Sequence, residues 1–204
     1  MAADMSLPSG TILAGGLARR MGGGDKGLLT IGDRTMLEHV IERIAPQVGE
    51  LALNANGDKA RFAKFGLPVL ADPVAGHAGP LAGVLAGLDW AAGRGVANIV
   101  TVAADTPFLP ADLVGRLLDA AEGQGGQIAL ACTTGGLHPT FGLWPVALRD
   151  DLRAALSEGV RKVVDWTDRH GAARAEFPVR EFDPFFNVNT PEDLDRAQGF
   201  LELA

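Results

Sequence analysis

Between Leu13 and Gly27 the chain reads Leu-Ala-Gly-Gly-Leu-Ala-Arg-Arg-Met-Gly-Gly-Gly-Asp-Lys-Gly, a span with six glycines and three cations. Glycines let a backbone approach a ligand closely and turn several N–H groups inward, while Arg19, Arg20 and Lys26 neutralise phosphate. A triphosphate suits such a loop. The competing reading is a solvated surface loop, the usual fate of this composition. The placement directly after an apolar run, with all three cations in one short stretch, favours the phosphate site. Two better-known phosphate loops fit poorly. A P-loop needs Gly-Lys-Ser/Thr, but here Asp25 precedes Lys26 and Gly27 follows it. The dinucleotide fingerprint is matched by Gly22-Gly23-Gly24-Asp25-Lys26-Gly27 in letters only. It stands too far behind the apolar run and continues into Leu28-Leu29 rather than an evident helix.

A second candidate is Asp105, at the end of the apolar run Asn98-Ile99-Val100-Thr101-Val102-Ala103-Ala104. Mg2+ prefers hard oxygen ligands and takes one or two carboxylates plus substrate phosphates, so a single aspartate at a strand end suffices for it. Asp105-Thr106-Pro107 reads equally well as a helix cap. Asn54 and Asp72 close two other apolar runs. Asp25 reads as a loop residue holding Lys26 or Arg20 in place. His77 reads as a solvated loop histidine, and Cys132 as a small core residue in the run from Ile128.

The elements that must position these groups alternate. Strands are expected at Thr11–Ala14, Leu51–Asn54, Pro68–Asp72 and Asn98–Ala104, the last β-branched and continuous as a strand buried on both faces should be. Helices are expected through Met36–Ile44, through Leu81–Leu88 as far as Gly93, and from Pro110 through Leu118. Further on, Gln127–Cys132 and Thr140–Trp144 read as strands, and Pro145–Leu156 and Val160–His170 as helices. The final helix opens at Thr190-Pro191-Glu192-Asp193, with Thr as cap and acids in the first turn. Trp90, Trp144 and Trp166 read as packing residues. This alternation predicts an α/β fold, a Rossmann-like, mostly parallel sheet flanked by helices, in one domain over residues 1–204. In such sheets ligands lie beyond the carboxyl ends of the strands, where Gly15, Asn54, Asp72 and Asp105 all fall.

Composition narrows the function. A formal net charge of -7 disfavours binding along a nucleic-acid backbone, which needs clustered Lys and Arg. A small anion needs only a locally positive pocket. The lone Cys132 forms no internal disulfide, no basic-then-apolar leader is visible, and no apolar run approaches the ~20 residues of a membrane helix. A cytoplasmic protein is expected.

Leu13-Ala14-Gly15-Gly16 with Arg19-Arg20-Met21-Gly22 and Asp25-Lys26-Gly27 resembles the signature of the molybdenum cofactor guanylyltransferase family. Asn54-Ala55-Asn56, Gly79-Pro80-Leu81-Ala82-Gly83, Asp105-Thr106-Pro107, His138-Pro139-Thr140, Gly159-Val160-Arg161-Lys162-Val163 and Asn187-Val188-Asn189-Thr190-Pro191 follow in the same order. The ordered set spans essentially the whole chain. The resemblance implies transfer of GMP from GTP to the terminal phosphate of molybdopterin. It implies that the Leu13, Ala14 and Gly15 backbone holds the guanine nucleotide. Asn54 and Asp72 bind the nucleotide further, Lys26 contacts phosphate and Arg19 assists. Asp105 ligates Mg2+, and Asn187 and Asn189 lie near the acceptor. It also implies transient contact with cofactor-insertion proteins and molybdoenzymes. One departure is Ala104, where the family often has Cys, at a position expected within the strand. Guanine preference rests on the resemblance, so a cytidylyltransferase or sugar-phosphate nucleotidyltransferase remains an alternative. A non-catalytic carrier of the cofactor is another, although docking alone needs no metal site.

Overall fold

In the computed structural model, which describes residues 7–15, 24–74, 79–125 and 127–203, the apolar runs read as strands lie side by side in one seven-stranded sheet. In chain order the strands are β1 (Ser9–Leu13), the short pair β2 (Thr30–Ile31) and β3 (Arg34–Thr35), β4 (Leu51–Asn54), β5 (Val69–Leu70), β6 (Asn98–Ala103), β7 (Ala129–Thr133), β8 (Gly136–Pro145) and β9 (Ala173–Glu176). The sheet order is β5-β4-β1-β6-β8-β7-β9, with β2 and β3 forming a separate hairpin. β1, β4, β5 and β6 are mutually parallel and β9 is parallel to β7, whereas β8 runs antiparallel to both β6 and β7. The mostly parallel α/β sheet expected from alternation is the one found.

Side chains of β6 alternate between two cores, as period-two geometry requires. Val100 and Val102 join Ile12, Leu37, Val40 and Leu117 on the face covered by α1 (Met36–Ile44) and α3 (Leu113–Gly123). Ile99 points to the opposite face, among Leu85, Trp144 and Trp166, under α2 (Pro80–Ala91), α4 (Arg149–Ser157) and α5 (Val163–Thr167). A third cluster of Ile31, Met36, Phe108, Val188 and Ala197 fixes α6 (Pro191–Phe200) against the hairpin.

Several boundaries differ from the sequence reading. α3 begins at Leu113, because Gln47 takes the place of a local cap: its Nε2 donates to the Pro110 carbonyl at 3.0 Å and its Oε1 accepts from Val114 N–H at 3.0 Å. The stretch expected as one helix from Pro145 starts as a 3-10 turn, Val146–Leu148, before α4. Gly159, at φ 95°, ends it in a conformation that side chains resist. The stretch from Val160 shortens to α5 followed by a 3-10 turn, Asp168–His170. β6 stops at Ala103, so Ala104 sits in the turn rather than in the strand. Cys132 is half-buried rather than a core residue, with its Sγ 3.5 Å from the Ala175 carbonyl. The β2–β3 hairpin, β9 and the 3-10 helix Lys59–Phe65 carry no clear signal in the sequence.

Candidate active site

β1, β4, β5, β6 and β7 point the same way, so their carboxyl ends share one edge of the sheet. Leu13–Gly15, Asn54, Asp72, Asp105 and Thr133 therefore stand along a single crevice rim, the usual ligand position in open α/β sheets.

At the centre, Lys26 Nζ lies 3.3 Å from Asp105 Oδ2 and also hydrogen-bonds Asn189 Oδ1. The loop after β1 reaches this point because Gly27 is pressed against Ala104, where an added Cβ would come within 3.2 Å of the alanine methyl. Asp105 donates backbone support in return, its carbonyl accepting from Val188 N–H at 3.0 Å, which draws Asn187 and Asn189 to the same place. Burial pushes the Asp105 carboxyl above the usual carboxylate range, and the Lys26 ammonium and Asn187 amide pull it back. A partly dehydrated carboxylate beside one cation is poised to gain from a further positive charge. The oxygens assembled here, the Asp105 carboxylate and the Asn189 amide oxygen, are hard donors of the kind Mg2+ takes beside phosphate oxygens. Among the described residues no three His, Cys, Asp or Glu side chains gather into a site.

A second cluster lies over β4 and β5. Asn54, 4% exposed, donates through Nδ2 to Asp72 Oδ1 at 2.9 Å and to the Leu70 carbonyl at 3.2 Å. Asn56 Nδ2 donates to Asp72 Oδ2 at 2.7 Å, and Asn56 Oδ1 accepts from Asp72 N–H at 2.9 Å. α2 passes so close that a Cβ on Gly83 would overlap Asn54 Oδ1, so only glycine leaves the amide in place.

Sequence reasoning missed Arg61. Its Nε lies 2.5 Å from Asp25 Oδ2, and its Nη2 donates to the Asn56 carbonyl at 2.6 Å. Asp25 is thus held by Arg61 rather than itself holding Lys26, and one guanidinium ties the end of the glycine loop to the Asn56–Asp72 cluster. Nothing local marks Arg61 as part of this site, because the Asp25 carboxylate it pairs with comes from elsewhere in the chain.

At the tip of β1, Ala14 N–H donates to the Asn54 carbonyl at 2.8 Å and the Leu13 carbonyl accepts from Ala104 N–H at 3.1 Å. Those two groups are committed to the sheet, and Gly15 just beyond them is exposed. Arg19, Arg20, Gly22 and His77 lie outside the described residues.

A family model described as MobA-like NTP transferase domain matches residues 10–173. A protein of Bradyrhizobium sp. strain ORS 278 named molybdenum cofactor guanylyltransferase is 57% identical over 197 residues, covering 95% of this chain and 93% of its own. A Rhodopseudomonas palustris strain HaA2 protein of the same name is 56% identical, covering 97% of this chain and 94% of its own. Among solved structures, molybdopterin-guanine dinucleotide biosynthesis protein A from Archaeoglobus fulgidus superposes with a TM-score of 0.74 at 25% identity, covering 96% of this chain and all of that one.

Proposed function

Because this chain belongs to the MobA-like NTP transferase family, we propose that it transfers GMP from GTP to the terminal phosphate of molybdopterin. The products are pyrophosphate and the guanine dinucleotide form of the molybdenum cofactor. The relatives at 57% and 56% identity, both named for that activity and matched over nearly their whole length, support the reaction class and the guanine nucleotide. The observation that carries the reading within the structure is the convergence of Lys26, Asp105 and Asn189 at one point of the strand edge.

An oxygen of the acceptor's terminal phosphate attacks the α-phosphorus of GTP, a new P–O bond forms, and the bond to the β-phosphate breaks to release pyrophosphate. Such transfers need positioning and charge neutralisation more than covalent catalysis, so no protein nucleophile is assigned. Asp105 would hold Mg2+, which would supply positive charge against the developing phosphate charge. Lys26 and Arg19 hold the departing pyrophosphate. Asn54 and Asp72, steadied by Asn56, bind the nucleoside side, and the Leu13–Gly15 backbone borders the base. No described helix is long and apolar enough to cross a membrane.

The test is incubation of the purified protein with molybdopterin, Mg2+ and each of GTP, CTP, ATP and UTP, following nucleotidylated product and pyrophosphate. Product from GTP, lost with EDTA, is expected. Preference for CTP or UTP would point to a different nucleotidyltransferase, and absence of any turnover would leave a carrier protein.

A further inference from the structure

We infer that His138 binds the acceptor, its Nδ1 accepting a hydrogen bond from an N–H or amino group of the acceptor's heterocycle, so that it reads the pterin while the other residues read phosphates. The inference rests on the molybdopterin reading above.

The rim beyond Asp105 has an unusual build. The β6–β8 ladder ends at Thr101 and Gly142, although β6 runs on to Ala103 and β8 begins at Gly136. Phe185 lies beside the diverging start of β8, its ring 4.8 Å from Phe141 and stacked on His138 at 4.5 Å. Phe185 belongs to the segment that joins two polar groups of the rim. At one end of it, Asp183 meets Thr133 and His138. At the other, Asn187 and Asn189 meet Asp105 and Lys26. One short segment, anchored by the buried Phe185 and Val188, thus ties His138 to the centre of the transfer site, on the side away from Asn54 and Asp72.

Donor bookkeeping decides the state of the imidazole. Thr133 Oγ1 accepts from Gly135 N–H at 3.2 Å and gives its single proton to the Asp183 carboxylate, 3.4 Å away, which can only accept. At its third contact, 3.0 Å from His138 Nε2, the hydroxyl oxygen must accept. Nε2 therefore carries the hydrogen and Nδ1 presents a bare lone pair. Burial lowers the His138 pKa against the opposing pull of Asp183, which agrees with a neutral ring. The ring remains 19% exposed, and Nδ1 has no partner among the described residues. A fixed tautomer, a stacked ring and an open acceptor atom are what recognition of a donor-bearing heterocycle requires.

Two replacements separate this role from a structural one. His138→Gln keeps an amide donor near the Nε2 position for Thr133 but removes the acceptor at Nδ1. His138→Asn places an oxygen near Nδ1 and gives up the Thr133 bond. Initial rates with molybdopterin and GTP should show the acceptor KM rising about tenfold in the Gln variant, with the GTP KM and melting temperature unchanged, and largely restored in the Asn variant. Equal effects of the two replacements on the acceptor KM, no effect, or a parallel rise in the GTP KM would overturn the inference. Equilibrium binding of molybdopterin in the absence of GTP isolates the point from the reaction itself. Loss of binding in the Gln variant supports the role of His138 even in a protein that fails to transfer GMP. Undiminished binding removes it.

Discussion

Asp105 and Lys26 stand out at the level of single residues because each satisfies the other only in part. The carboxylate is largely withdrawn from water, and its neighbouring ammonium is shared with Asn189. Replacing Asp105 by Ala should abolish transfer while the far-UV circular dichroism and melting temperature stay near wild type, since the side chain is at the rim rather than in a core. Lys26→Ala should lower kcat by about 10²–10³, the usual effect of removing one stabilising group from a developing charge. Full turnover in either variant would remove that residue from the site. Both were legible from residue type and position alone. Arg61 was not, because a guanidinium bridging Asp25 and Asn56 is defined only once the loop after β1 and the turn after β4 are brought together.

Elements place these groups through two devices. The first is the start of α1, where Thr35 and Glu38 form a reciprocal capping box. The Thr35 N–H, followed by its hydroxyl, holds the Glu38 carboxyl down from an ordinary 4.5 to about 2. A depressed folded value means that the stabilisation is complete above the unfolded value near 4.5 and is lost as pH falls toward 2. Urea melts of Glu38→Gln across that window should show a flatter acid limb than wild type, and an unchanged limb would place the acid sensitivity elsewhere. The second device is the glycine face of α2. A Cβ on Gly87 would stand 2.5 Å from Thr11 Oγ1, backed by Ile99. Gly87→Ala should therefore destabilise the fold by roughly 1–3 kcal/mol, the ordinary cost of overpacking. Gly83→Ala instead displaces Asn54, and should weaken GTP binding measured by calorimetry beyond what its lowered melting temperature explains.

For the molecule as a whole, the chain's end closes its beginning. α6 packs on the β2–β3 hairpin through Ile31 and Ala197, and Gln198 Oε1 accepts from Gly32 N–H at 2.9 Å. Ending the chain at Asn189 should expose that cluster and free the segment that carries Asn187 and Asn189. Dye-detected hydrophobic exposure and loss of transfer are both expected, and retained activity would show that the segment holds its place without α6. By itself the sequence determined the alternation of strands and helices, the parallel sheet, and the rim residues Asp105, Asn54, Asp72 and Lys26. Those follow from local periodicity and from residues that break it, and both are written in neighbouring positions. Only the tertiary structure decided that β8 runs against its neighbours and that β9 completes the edge. It also decided that Gln47 sets the start of α3, and that Arg61, Gly83 and His138 serve the same crevice. Apart from the short turn between β7 and β8, the determining contact in these cases joins residues far apart in the chain, and its energy exists only after the sheet has formed.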